Sequence, residues 1–127
     1  MKPILLLSSA ALMAVVFTGG CALQTPRGDP PYKTWSSNKS IDDVSACLVR
    51  ELNARNKHAS WDAPNTTHQI QIIEPNRVYE VLPQQTIILT GEAYYFRVEK
   101  MGAGSALSLF AIRAFKEQES PAGDICA

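Results

Sequence analysis

The chain has 127 residues, with 12 Lys and Arg against 12 Asp and Glu, 46% apolar residues and three cysteines. That length holds one small hydrophobic core and leaves no room for a second. The basic residues are scattered from Arg27 to Lys116 with no excess or stripe, which excludes a phosphate-binding surface and a nucleic-acid partner.

The only charge before Arg27 is Lys2, and Ile4 to Phe17 is a mostly apolar run broken by Ser8 and Ser9. A bilayer span needs roughly 17 to 25 apolar residues, and this run is shorter. A positive start, an apolar middle and the small residues Thr18, Gly19 and Gly20 are the three parts of a secretory signal. The stretch that ends it, Phe17-Thr18-Gly19-Gly20-Cys21, resembles the lipobox of bacterial lipoproteins, with Thr18 where that family more often has Leu. The resemblance implies cleavage before Cys21, acylation of the Cys21 sulfur (a palmitate-type chain) and then of the new N-terminus. It thus predicts a signal peptide over 1–20 and a lipid anchor at Cys21. Two or three acyl chains hold a protein on a membrane durably, where a single one does so only marginally. Ala22 follows the cysteine where inner-membrane lipoproteins of the enteric type carry Asp, so the resemblance implies the outer membrane, facing the periplasm. The competing readings are an uncleaved span over Ile4 to Leu23, or an ordinary signal peptide cut elsewhere that leaves Cys21 a free thiol.

Residues 21–39 read as a lipidated N-terminus and flexible tether. Ala22 to Lys39 holds three prolines, one glycine and many small polar residues without an apolar period. As a flexible coil it would reach about 25 Å, and extended about 55 Å. Tyr32 and Trp35 are expected as partly exposed tether residues, with docking on the domain as the alternative.

The domain is expected over 40–127. Ser40-Ile41-Asp42-Asp43 has the form of a helix start, with Ser40 as N-cap, Asp43 in the capping-box position and two carboxylates at the positive helix end. Ile41, Val44, Cys47, Leu48 and Leu52 recur on one face, and Arg50, Arg55 and Lys57 fall in the second half. The spacing predicts a helix over about Ser40 to Asn56, with Cys47 on its buried side.

After the loop KHASWDAPNTT the period changes to two. His68 to Ile72 alternates, and Val78 to Leu82 follows across the turn EPN, ended by Pro83. In Thr86 to Lys100, Tyr94, Phe96 and Val98 share one face while Tyr95, Arg97 and Glu99 share the other, with a bend or bulge expected at Gly91. Leu107 to Phe115 suits a strand or a helix, and the short loop Gly102-Ala103-Gly104 favours a strand in a hairpin. The tail ESPAGDICA has no period. The sum is an α+β fold: one N-terminal helix packed on a roughly four-stranded antiparallel sheet, in a single small domain.

With Cys21 assigned to lipid, Cys47 and Cys126 remain as a pair, and an exported chain sits where disulfides persist. The alternatives are two buried thiols, or a zinc site that would recruit His58 and His68; neither the cysteine nor the histidine spacing of such a site is present.

No catalytic or cofactor-binding set emerges, so catalytic residues, cofactor and metal are all expected to be none. Gly102-Ala103-Gly104 lacks the third glycine of a dinucleotide loop, position 107 being Leu107. His58 and His68 flank Trp61 and Asp62, but no nucleophile or second acid lies beside them. They are expected as a loop histidine and a strand-edge histidine, with Trp61 as a lid on the core. The resulting expectation is a non-enzymatic envelope lipoprotein that contacts the membrane through its anchor and binds an envelope protein or peptidoglycan. The alternative is a carrier of a small apolar ligand on the aromatic face around Tyr94, Phe96 and Phe110, although so small a domain rarely leaves the cavity that a small-molecule partner needs. An enzyme of unrecognised type ranks third.

Overall fold

The computed structural model describes residues 26–55, 67–84, 93–112 and 115–127. Strand β1 spans Lys33–Ser37 and helix α1 Ile41–Arg55; β2 (His68–Glu74), β3 (Val78–Pro83), β4 (Tyr94–Met101) and β5 (Gly104–Ala111) follow, and helix α2 (Phe115–Cys126) closes the chain. The strands form one sheet in the order β1-β5-β4-β3-β2, every neighbouring pair antiparallel. Helix α1 lies over β2, β3 and β4, and α2 over β5 and β1 beside it. The result is a single small α+β domain, with two helices on one face of the sheet.

Local sequence explains α1. Ser40 Oγ accepts the Asp43 N–H at 3.1 Å, the first-turn Asp42 and Asp43 and the last-turn Arg55 suit the helix dipole, and Ile41, Val44, Leu48 and Leu52 are buried. They meet Tyr79, Val81, Phe96, Val98, Leu107 and Leu109 from the sheet, which form the core with them. In β4 and β5 the two-residue period places these side chains on the helix side and Tyr95, Arg97 and Phe110 on the outer face. Gly102-Ala103 is the two-residue hairpin loop between them. Gly102 has φ 60° while Ala103 stays out of the positive region, the pattern of a type II′ turn.

Three expectations are corrected. The sheet has five strands where four were expected, because Lys33–Ser37, assigned to the tether, pairs with β5 along its whole length, Trp35 opposite Leu107. Its single large apolar residue is too little for a strand pattern, yet Trp35 packs in a tilted arrangement 6.2 Å from Phe96 and donates Nε1–H to Asp124 at 2.8 Å. The aperiodic tail is a helix, with Pro121 in its interior and Gly123 in contact with the Trp35 ring. Local propensity disfavours both residues; burial of Ala122 and Cys126 holds them in place.

The docked chain also begins earlier than Ser40. Pro26 is buried, and Arg27 makes a bidentate ion pair with Glu80 at 2.8 and 2.9 Å on the outer face of the sheet. Its guanidinium sits 4.0 Å over the Tyr95 ring, and Tyr32 N–H donates to the Leu109 carbonyl. The stretch read as an open tether therefore crosses and caps the face that the helices leave bare. Tyr32 itself stays exposed.

Strand β2 forms where the alternation places it. Its alternation is real, but from Gln69 to Glu74 both faces are exposed, because β2 is the outermost strand and α1 meets it mainly at the His68 end, where Asn53 bonds His68. The pairing with β3 shifts between Ile72 and Glu74, a bulge at Ile73. The expected bend at Gly91 lies outside the described residues.

Candidate functional site

Cys21, His58, Trp61 and Asp62 lie outside the described residues. Cys47 and Cys126 are joined in a disulfide, with Cα atoms 5.6 Å apart across 79 positions. Helical spacing brings Cys47 to the side of α1 that faces α2, and α2 delivers Cys126 at its last residue. Lys39 Nζ holds the same end by donating to the Cys126 and Ala127 carbonyls.

His68 opens β2 and is 6% exposed. Its backbone N–H donates to Asn53 Oδ1 at 2.8 Å, and its Nδ1 lies 2.9 Å from the same oxygen. An oxygen that accepts the first must accept the second, so Nδ1 carries the proton and Nε2 accepts from the Tyr94 hydroxyl at 2.6 Å. The Tyr94 ring stacks on Phe115 at 5.4 Å. Burial holds the imidazole pKa down to about 4, so the ring is neutral at physiological pH. Both ring nitrogens are occupied, and neither has a lone pair or proton left for a substrate. A strand-edge histidine was expected; the structure makes it a buried, satisfied link between α1, β2 and β4.

Glu119 was missed by sequence reasoning, because no apolar period marked α2. It is 1% exposed, its Oε2 has no hydrogen-bond partner, and burial raises its pKa to about 7 against the opposing attraction of Arg55. A carboxyl set this way exchanges a proton near neutrality. No nucleophile or second acid stands beside it among the contacts described.

At the opposite end of the sheet, an open cleft of about 490 Å³ separates the start of α1 from the two hairpin turns, lined by Ser40, Asp42, Asn76, Lys100 and Gly102 among others. Ser40 Oγ is already committed to its capping bond. Among the described residues no group of three His, Cys, Asp or Glu is placed to hold a metal.

The aromatic set proposed for a ligand does not converge. Tyr94 and Phe96 are core residues under the helices, whereas Phe110 is on the outer face, stacked on Tyr95 at 4.7 Å. Phe110 pairs with Tyr95 and not with Phe96, and the two-residue period puts such neighbours on opposite faces. The large apolar side chains that do reach solvent are elsewhere: Ile70, Ile72 and Ile73 lie together on β2 at 42, 59 and 48% exposed, and Tyr32, Met101 and Ile125 are exposed singly. No family model matches the chain, and no curated protein or solved structure matches it significantly.

Proposed function

We propose that the protein is a lipid-anchored lipoprotein of the bacterial cell envelope whose small non-catalytic domain binds another envelope macromolecule, as an adaptor or an inhibitor. One observation carries the reading. Cys47 and Cys126 are consumed in a disulfide, the bond of an oxidising compartment, which leaves Cys21 of FTGGC as the odd cysteine at the end of a signal-like segment.

Several features are consistent with binding in preference to catalysis. The neutral His68 ring is fully engaged, the buried Glu119 has no chemical companion among its described contacts, and three exposed isoleucines lie side by side on an open strand. Neither described helix is long and apolar enough to cross a membrane, so membrane attachment in this reading falls to the lipid.

Because Pro26 is already docked, only residues 22–25 link Cys21 to the domain. The five steps from Cys21 to Pro26 reach at most roughly 18 Å fully extended. An anchor at Cys21 thus holds the domain against the headgroups, where a partner in the same membrane or in the adjoining peptidoglycan layer is within reach. Ala22 after the cysteine favours the outer membrane, periplasmic side.

The test is membrane fractionation of wild type and Cys21→Ser, with the intact mass of the wild type. The reading expects an acylated mass that begins at Cys21 and release of the variant from membranes. Unchanged membrane retention of the variant overturns the anchor. A pull-down from envelope extract that recovers one stoichiometric macromolecule supports the adaptor or inhibitor role, and a co-purifying small molecule in native mass spectrometry overturns it in favour of a carrier.

A further inference from the structure

The outer edge of β2 has a hydrogen-bonding pattern that can be derived from two bonds elsewhere in the sheet. Gln84 N–H donates to the Thr67 carbonyl, and Lys100 N–H to the Arg77 carbonyl. The first turns the backbone groups of Thr67, and by the two-residue period those of Gln69 and Gln71, toward β3; the second agrees, since it turns the odd residues of β3 toward β4. The groups of His68, Ile70 and Ile72 therefore point away from the sheet. Asn53 already accepts the His68 N–H. Ile70 and Ile72 are left as the open rungs of the edge, where β2 pairs with β3 alone.

An open edge of this kind is normally protected by lysine, proline or an inward charge. The other edge of the sheet, β1, starts with Lys33 and carries serine, threonine and the α2-covered Trp35. Strand β2 carries no charge before Glu74 and presents Ile70, Ile72 and Ile73 to solvent.

We propose that the β2 edge binds a second copy of this chain, antiparallel and related by a two-fold axis through Gln71. In that register Ile70 of one copy faces Ile72 of the other, twice over. Each is a hydrogen-bonded pair in which both open N–H groups meet both open carbonyls. Shifting the register by two residues in one direction sets Ile72 against His68, whose N–H is taken; in the other it sets Ile70 against Glu74, beyond the bulge. Ile70 and Ile72 share the helix side with their partners Val81 and Tyr79, so the four isoleucines of the two copies form one apolar stripe between the two α1 helices. Charge agrees with the arrangement. The two Glu74 side chains fall at opposite ends of the ladder, each beside its own Arg77 and facing the neutral His68 of the other copy, so no like charges oppose. The pairing does not depend on the anchor at Cys21.

Light scattering and sedimentation on the purified whole chain should give a mass that rises with concentration to twice that of one chain. Ile70→Lys/Ile72→Lys, which changes only exposed side chains, should hold it at one. Gln71→Cys places two thiols across the axis and should cross-link copies without reductant, whereas Thr34→Cys on the opposite edge should not. A wild-type chain that stays monomeric at every concentration overturns the proposal. So does a dimer that survives both lysines and leaves Gln71→Cys uncross-linked, or a Gln71→Cys chain that captures a different protein in place of its own copy.

Discussion

Arg27 and Glu80, 53 positions apart, meet in a two-point ion pair on the face of the sheet away from the helices. The Glu80 side chain is almost wholly buried while Arg27 keeps contact with water. This pair sews the first described residues onto the domain, and it would set how near the proposed anchor at Cys21 holds the sheet.

Arg27→Ala is expected to lower stability by about 2 kcal/mol, because it strips the partner from a buried carboxylate. Arg27→Ala/Glu80→Gln should recover part of that loss, since the stranded charge is gone. Urea denaturation of the three proteins checks it; equal stability of Arg27→Ala and wild type would show that the pair holds nothing down.

His68 gives a pH dependence of one sign. Its folded pKa of about 4 lies below the ordinary 6.5, so the folded state binds fewer protons than the unfolded chain between those values. Its contribution is full above about pH 6.5 and is lost as pH falls toward 4, to a total of roughly 3 kcal/mol. Stability against pH for wild type and His68→Gln should diverge across that window, the variant having the flatter profile.

Glu119 acts in the opposite direction. With a folded value of about 7 against 4.5, the folded state holds its proton longer, so the contribution is full below about pH 4.5 and is lost as pH rises to 7, again roughly 3 kcal/mol. Glu119→Gln, which stays neutral, should exceed wild type in stability at pH 8 and lose that advantage at pH 4.5. A constant difference between the two proteins would mean that Glu119 does not titrate in this range.

Gly123→Ala should destabilise the domain by about 1 to 3 kcal/mol although alanine is the better helix former. The added Cβ would lie 2.5 Å from the Trp35 ring. In a Trp35→Ala background the same change should cost far less, and a double-mutant cycle reads the difference.

Loss of the disulfide in Cys47→Ser/Cys126→Ser frees a loop of 79 positions. The chain-entropy argument sets an upper value of about 4.5 kcal/mol for that loss. Thermal melts with and without reductant should show the wild type falling to the level of the double variant on reduction, and the variant unmoved.

Helix α1, the two hairpins and the two-faced character of β4 were legible because their signals are local. A cap, an apolar stripe, a glycine turn and strict alternation each act within a few residues, and Ser40, Gly102 and Tyr94 to Glu99 carry them in the order of the chain. The site was less legible. His68 stood out as a histidine, but its partners Asn53 and Tyr94 are 15 and 26 positions away, and that distance decides between a reactive ring and a satisfied one.

What the sequence determined by itself is the set of elements that would form on their own terms, together with an odd number of cysteines; the Cys47–Cys126 bond decided which one is left over. Tertiary structure alone decided β1 and α2. Lys33–Ser37 has one large apolar residue and α2 has Pro121 and Gly123 in its interior, so neither is favoured in isolation. Each is stabilised by the other: the Trp35 ring lies on Gly123, its indole N–H and Lys33 both bond Asp124, and Cys126 is tied to α1. The physical reason is that burial and long-range bonds outweigh a propensity cost of about 1 kcal/mol for a helical glycine and about 3 kcal/mol for a helical proline. Those bonds join residues that the sequence keeps some ninety positions apart.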